Sequence, residues 1–428
     1  MVYTIVIADD ITGANDIGIM YAKSGFDTVV YSYDRLEPGF VPEHEVTVID
    51  TDSRFCTPKE AYRRVYDCCR MVGRNGAVQF IDKQCSVFRG NIGAEFDAML
   101  DALGEKHGMV VLAFPDNGRT TIHGIHYVYG VKLEDSQFRH DPVHPMTQSS
   151  LLEILGSQTK RKVALVSVDV LDQGKDAVVA EKERLKKEAS YLIFDARNNT
   201  DLELLAEVLE DEPVICGSSA PGYFLGKQYI RKHGKQDNRK EMPLEKGPVL
   251  GIAGSLTPQT KAQSEYMIRH SYPVLTLDTR CLFDEEKKNG EHARILSEYQ
   301  KIRESGRAIP FVMIRSQQDD ALVAETKQIA FQKGIDNTTV SEMVSGELAS
   351  LAWEIGQKYE ILRYMILGGD TSGSFCRRFH ISGMKVLKEI QPGLPTCQSI
   401  TAPYYKLVLK SGSFGSEEFL ETALNFMD

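Results

Sequence analysis

The sequence predicts an α/β protein of two α/β domains, with mainly parallel sheets facing a central cleft. Three observations carry that expectation. Strand-like and helix-like runs alternate along the chain, the pattern of helices packed on a parallel sheet rather than of an all-α or all-β architecture. The strand-like runs are nearly continuous in β-branched and aliphatic residues, as in "TIVIA" and "VVLAF", which suits strands buried on both faces. At 428 residues the chain is too long for one comfortable core, and the alternation weakens at "IRKHGKQDNRKEMPLEKG", dense in charge with two glycines and a proline. Such a stretch reads as a linker. The expected division is 1–232, a linker at 233–247, and 248–428.

In the first domain, strands are expected at "TIVIADD", "DTVVYS", "VTVIDT", "AVQFID", "VVLAFP", "KVALVSVD", "YLIFDA" and "EPVICGSS". The helical spacing of Ile17, Met20 and Tyr21 predicts a helix after the first strand that ends at Gly25, and "PKEAYRRVYDCCRMVG" predicts another, with Cys68 and Cys69 in the core. A second series follows at "PVLGIAGS", "YPVLTLD", "AIPFVMIRS", "RYMILGGDTSG" and an antiparallel-looking "YYKLVLKSGS".

Composition excludes several classes. With 42% hydrophobic and 26% charged residues the chain is an ordinary globular protein. A net charge of -10 offers no footprint for nucleic acid, while leaving room for small anions in a locally positive pocket. No apolar run reaches the roughly 18 residues of a membrane span, and the opening "YTIVIA" follows no basic leader, so a cytoplasmic protein is expected. None of the eight cysteines forms a CxxC pair or a zinc spacing, which favours reduced thiols.

Ligands of open parallel sheets bind outside the carboxyl ends of the strands. There the first domain offers Asp9 and Asp10, Asp50 to Arg54, Lys83 with Ser86 to Asn91, and Asp116 to Arg119. Carboxylates, amides and arginine forks suit a polar anionic substrate. The second domain offers three Gly/Ser loops. "LGGDTSGSF" places Gly368, Gly369, Asp370, Thr371, Ser372 and Gly373 between a strand and a helix, "IAGSLTPQT" places Gly254 and Ser255, and "LKSGSFG" places Ser411, Gly412 and Gly415. Backbone amides in such loops approach phosphate oxygens. None fits GxxxxGK[ST] or GxGxxG. One anion-binding domain joined to one phosphate-binding domain suggests phosphoryl transfer, with Asp10 or Asp9 as base, Lys83 or Arg89 as electrostatic partner and Mg²⁺ on the nucleotide.

The stretches "IADDITGANDIG", "DKQCSVFRGNIGAEFDAM", "FPDNGRTTIHGIHYV" with "DPVHP", "GGDTSG" and "KSGSFG" together resemble the four-carbon acid sugar kinase family, over nearly the whole chain and in the family's order. That resemblance implies an acid-sugar-binding N-terminal domain, a nucleotide-binding C-terminal domain, ATP with a divalent metal, and phosphorylation of the terminal hydroxyl of a tetronate-like acid. It implies that Ser255, the run Gly368 to Thr371 and Gly412 touch ATP, and that Asp9, Asp10, Arg89, Asn91 and Arg119 line the acid pocket. Ser86, Ser372 and Gly415 extend those two sets. Many members read K-x-D-S-T-L-R-G-N, where this chain has Cys85 and Val87. An acidic residue and a hydroxyl are then missing from the pocket edge, and the acid remains open among threonate, erythronate and a 3-oxo-tetronate. "TGANDIG" looks closer to the threonate and erythronate branch.

Plainer roles stand beside these. Asp9 and Asp10 could cap a helix, His123 and His126 could fill loop hydrogen bonds, Asp370 could orient its own loop, and Cys85 could be a soft pocket wall. The competing function is a two-lobed small-molecule binding protein without catalysis, which would have no need of three phosphate loops. The expected partners are a sugar acid and ATP, with no nucleic acid and no membrane, and a homodimer is compatible with them.

Overall fold

The computed structural model describes residues 2–37, 39–141, 143–234, 244 and 246–427. Its contacts divide the chain into units 1–240 and 241–428. Most of the expected linker at 233–247 lies outside the described residues.

The first unit holds strands β1 (Thr4–Ala8), β2 (Thr28–Ser32), β3 (Val46–Asp50), β4 (Gln79–Lys83), β5 (Gly108–Val111), β6 (Arg119–Ile122), β7 (Ile125–Val128), β8 (Val131–Lys132), β9 (Val163–Val166), β10 (Tyr191–Phe194) and β11 (Val214–Gly217). Eight of these form a wholly parallel sheet in the order β2-β3-β1-β4-β11-β5-β10-β9. β1 and β4 are buried along their whole length, as expected of strands covered on both faces. The core gathers Ile5, Ile7, Phe80, Phe88, Phe96, Val110 and Tyr191 with Cys68 and Cys69. Asp10 caps the helix Ile11–Ser24, and Gly25 ends it in the left-handed region at φ 102°, where glycine carries no Cβ penalty.

The polar stretch after β5 differs from the expected strand tip. The ladder ends at Val111, although Leu112 to Phe114 stay buried. Residues 119–132 then form a separate antiparallel sheet, β6-β7-β8, whose alternating burial turns Arg119, Thr121 and His126 inward.

The second unit holds β12 (Val249–Ala253), β13 (Val274–Leu277), β14 (Phe311–Ser316), β15 (Arg363–Leu367), β16 (Gly383–Gln391), β17 (Leu394–Ser399) and β18 (Lys406–Lys410). β13-β14-β12-β15-β18 run parallel, and β17 joins β18 antiparallel with β16 beyond it. The antiparallel ending is therefore a pairing of β18 with β17 rather than a turn of β18 on itself. Among the described residues, no helix is long and apolar enough to cross a membrane, and all eight cysteines are free thiols.

Candidate active site

At the carboxyl ends of β1, β3 and β4, which are neighbours in the sheet, the chain gathers a dense ionic cluster. Arg54 is its hub. Its Nε and Nη2 fork onto the two carboxylate oxygens of Asp9 at 2.7 and 2.8 Å, and its Nη1 reaches Asp10 Oδ2. The Asp10 carboxylate also accepts from the Gly13 amide at 2.7 Å and the Thr12 hydroxyl at 2.9 Å. Burial alone would raise its pKa, but Arg54 and Lys83 outweigh that and hold it below the usual carboxylate range. Asp10 is thus both a helix cap and a member of the cluster. The Asp9 side chain has no solvent exposure and that of Asp10 has 10%, so of the two only Asp10 can meet a ligand directly.

Lys83 is buried. Its Nζ donates to the Gln84 carbonyl at 2.9 Å and lies 3.8 Å from Asp16. A Cβ added at Gly13 would stand 3.0 Å from that Nζ and 2.6 Å from Asp10 Oδ1, so the glycine lets the helix start sit against both groups. Beneath the cluster, Gln84 Nε2 bridges Asp82 and Glu95 at 2.6 and 2.8 Å. Burial pushes Asp82 up to about 8 and Glu95 well above its ordinary value.

The loop after β4 carries Cys85, Ser86, Arg89 and Asn91. Arg89 Nη1 pairs with Asp141 at 2.6 Å, and its Nε donates to Cys85 Sγ at 3.4 Å. Burial opposes ionisation of Cys85, yet Arg89 and Arg54 together hold its pKa below the ordinary thiol value. Asp141 also accepts from the amides of Val143 and His144, and His144 Nε2 donates to the Arg54 carbonyl at 3.1 Å. Asp141 and His144 therefore brace both arginines. Asn91 spends its amide group on the carbonyls of Ser53, Arg54 and Cys56, which fixes the Arg54 loop. Ser86 offers its carbonyl to His126 Nε2 at 2.9 Å. Since that nitrogen must donate, His126 Nδ1 accepts from Thr121, and burial pulls the ring down to about 3. His126 is a neutral structural link, while His123 is exposed.

Two expectations about this region change. Val87 does not stand at a pocket edge: it is fully buried in the core, because the turn through Phe88 at φ 56° and Gly90 at φ 114° sends it inward. Arg119 is 1% exposed, bonded to the Asn117 carbonyl and stacked on Tyr129 at 5.0 Å and Phe138 at 6.0 Å. Its guanidinium is built into the wall behind Arg89, which lies over the same Phe138 ring at 5.3 Å.

In the second unit, β12, β15 and β18 are adjacent, so the three Gly/Ser loops that follow them meet. Thr257 caps the helix Pro258–Arg269, and its hydroxyl donates to the Gly412 carbonyl at 2.6 Å, joined by Thr260 at 3.1 Å. The contacts leave no room for side chains. A Cβ at Gly412 would come within 2.3 Å of Ser255 Oγ, and one at Gly254 within 2.4 Å of Thr371 Oγ1. Gly368, at φ 119°, opens the helix Gly369–Arg378, so Gly369, Asp370 and Thr371 form a first turn whose amides lie at a positive helix end. Asp370 accepts from the Ser341 hydroxyl, and the buried Ser372 hydroxyl has no hydrogen-bond partner among the described residues. Gly415, at φ 84°, closes the third turn.

Sequence reasoning named Asp9, Asp10, Lys83, Ser86, Arg89 and Asn91, all of which gather around one sheet edge, and the loop residues of the second unit, which gather around another. It named Arg54 only as the end of the run Asp50 to Arg54 that follows a buried strand, and passed over its part as the hub of the cluster. It also passed over Lys410, a lysine that ends a buried strand directly before a glycine turn.

Comparison with known proteins fits this division. Residues 4–223 match a sugar-binding N-terminal domain and residues 250–420 a nucleotide-binding C-terminal domain. The 3-oxo-tetronate kinase of Salmonella typhimurium is 31% identical over 97% of this chain and 96% of its own. The D-erythronate kinase of Heliobacterium modesticaldum is 28% identical over 99% and 96%. Among solved structures, a Salmonella typhimurium protein described as a putative tRNA synthase superposes with a TM-score of 0.82 at 30% identity, covering all of both chains. Both domains matched in order, together with whole-length likeness to sugar-acid kinases, place the chain in the four-carbon acid sugar kinase family.

Proposed function

We propose that this protein transfers the terminal phosphate of ATP to the terminal hydroxyl of a four-carbon sugar acid. The observation that carries this reading is the pairing of an arginine- and carboxylate-rich sheet edge in the sugar-binding domain with three interlocked glycine loops in the nucleotide-binding domain. Phosphoryl transfer asks little covalent help beyond positioning and charge. Asp10, held ionised by Arg54 and Lys83, accepts the proton of the attacking hydroxyl, and its low basicity suits a step in which that proton leaves late. Lys83 balances charge at the same point. Arg89, whose side chain keeps some exposure where Arg119 is fully buried, is the guanidinium that reads the acid's carboxylate, while Arg119 and Asn91 hold the wall and the loop. Ser255, the turn Gly368 to Ser372, and Gly412 to Gly415 hold the phosphates.

Mg²⁺ fits this arrangement, since it is commonly held by phosphates, waters and one or two carboxylates, and Asp370 supplies one at the start of its helix. When bound, it would neutralise charge on the phosphates. The relatives' names leave two acid types, erythronate and 3-oxo-tetronate. The Cys85 thiol beside Arg89 and Arg54 is the feature of this chain that bears on the choice.

The test is ADP release with Mg²⁺ and ATP over a panel of four-carbon acids that includes 3-oxo acids, beside an Asp10→Asn variant. Turnover on one acid that collapses in the variant supports the proposal. Absence of turnover across the panel, or turnover that survives in Asp10→Asn, refutes it as stated.

A further inference from the structure

Lys410, the last residue of β18, is fully buried in the second unit. Its Nζ lies 2.8 Å from the Ser411 carbonyl, 3.0 Å from that of Phe414, 3.1 Å from that of Gly412 and 3.3 Å from the Thr260 hydroxyl. All four neighbours are neutral, and no carboxylate pairs with it among the described residues. A lone buried charge is costly, and burial pulls this lysine down to about 7.

What offsets that cost is the shape the lysine imposes. In a trans peptide, the carbonyl and the following N–H point in opposite directions. Carbonyls 411, 412 and 414 aimed at Nζ therefore turn the amides of Gly412, Ser413 and Gly415 to the other side of the turn. Among the described residues none of these three amides has a hydrogen-bond partner, and Gly412 and Ser413 are buried. Buried amides are normally paired, and a row of unpaired ones in a glycine turn makes an anion-binding concavity. The Lys410 carbonyl also takes the Gly368 amide at 2.8 Å, so the same residue ties the third loop to the second.

We propose that Lys410 is the positioning residue of the nucleotide site: by drawing the carbonyls of Ser411, Gly412 and Phe414 toward its ammonium, it keeps the amides of Gly412, Ser413 and Gly415 turned outward for the nucleotide phosphates. The proposal rests on reading these loops as the nucleotide site, and the first measurement separates the two. Calorimetric titration of the intact protein with ATP comes first, and failure to bind would sink the reading of the loops itself. Given binding, Lys410→Met keeps the packing volume and removes the donors. Its KM for ATP rises about tenfold, the scale of one lost charge-assisted hydrogen bond, while the KM for the acid stays put. No change, or equal change in both constants, overturns the proposal.

Should Lys410→Met fail to fold, the intact protein decides. At about pH 8.5, ATP phosphates and ordinary histidines are already deprotonated and Lys410 is mostly neutral, so phosphates arriving on the turn restore its charge. Titrations in two buffers of different ionisation enthalpy then show uptake of a large fraction of one proton. Zero uptake overturns the proposal.

Discussion

Replacing Arg54 by methionine should destabilise the first domain, because it strands the buried carboxylate of Asp9. Among the described residues Arg54 supplies both hydrogen bonds that the Asp9 side chain makes, whereas Asp10 keeps the Gly13 amide and the Thr12 hydroxyl. With Arg54 gone, a fully buried carboxylate is left without a counter-charge. Breaking a buried pair in this way costs about 3–5 kcal/mol. At roughly 2–4 °C per kcal/mol for a domain of this size, the first thermal transition falls by about 10 °C. Scanning calorimetry of Arg54→Met reads that shift. Adding Asp9→Asn removes the stranded charge, so the double variant should regain about half of the loss while staying inactive, because Asp10 still lacks its guanidinium. A fall of under about 1 kcal/mol, or no recovery in the double variant, would refute the reasoning that Arg54 is there to neutralise Asp9.

Gly254→Ala places a methyl 2.4 Å from Thr371 Oγ1. Steady-state kinetics should show a higher KM for ATP with the acid's KM unchanged, and an unaltered KM for ATP would count against the interlocked loops. His292 binds Glu347 and Glu354 and its pKa is raised, first by the Glu347 hydrogen bond. A raised folded-state pKa gives stability that is full below about pH 6.5, the unfolded value, and fades as the pH climbs through the folded one. Melting curves of His292→Gln against the parent should therefore differ most on the acid side and converge above that window. Iodoacetamide followed by mass mapping should label Cys85 ahead of Cys68, Cys69 and Cys216, which are buried with raised pKa values. Sugar acid should slow labelling at Cys85 alone, and equal labelling with or without acid would remove Cys85 from the pocket.

The parallel strands were legible because each is a short run of aliphatic residues between turn signals, and β1, β3, β4 and β12 hold the positions those runs mark. The sheet β6-β7-β8 was not, because "RTTIHGIHYV" alternates polar and apolar residues over strands of two to four residues. Its arginine looked like a ligand contact, whereas Arg119 is an interior brace, and His126 fills the loop hydrogen bonds of its plainer reading. β16 and β17 escaped for a related reason: "MKVLKEIQPGLPTCQS" mixes charge and proline in an antiparallel pair with register shifts. The site's charged members were visible as a list after each strand. What no list could show is the wiring, in which Arg54 joins Asp9 to Asp10, Asp141 and His144 hold Arg89 and Arg54, and Lys410 faces three carbonyls. Those pairings depend on which strands become neighbours.

The order of neighbours also sets a timetable for synthesis. β5, at residues 108–111, has no ladder partner until β10 and β11, at 191–194 and 214–217, have left the ribosome, and such distant pairings are slow to form. The Arg54 cluster draws its charged members from residues 9–89 and its brace from Asp141 and His144, so those groups can meet while the sheet beside them is still incomplete. The second domain runs the other way. Its three loops come from residues 254–257, 368–372 and 411–415, and the Gly412 turn lies 155 residues beyond the Thr257 that grips it. A nascent chain would thus complete the Arg54 cluster long before it closed the three interlocked loops of the second domain.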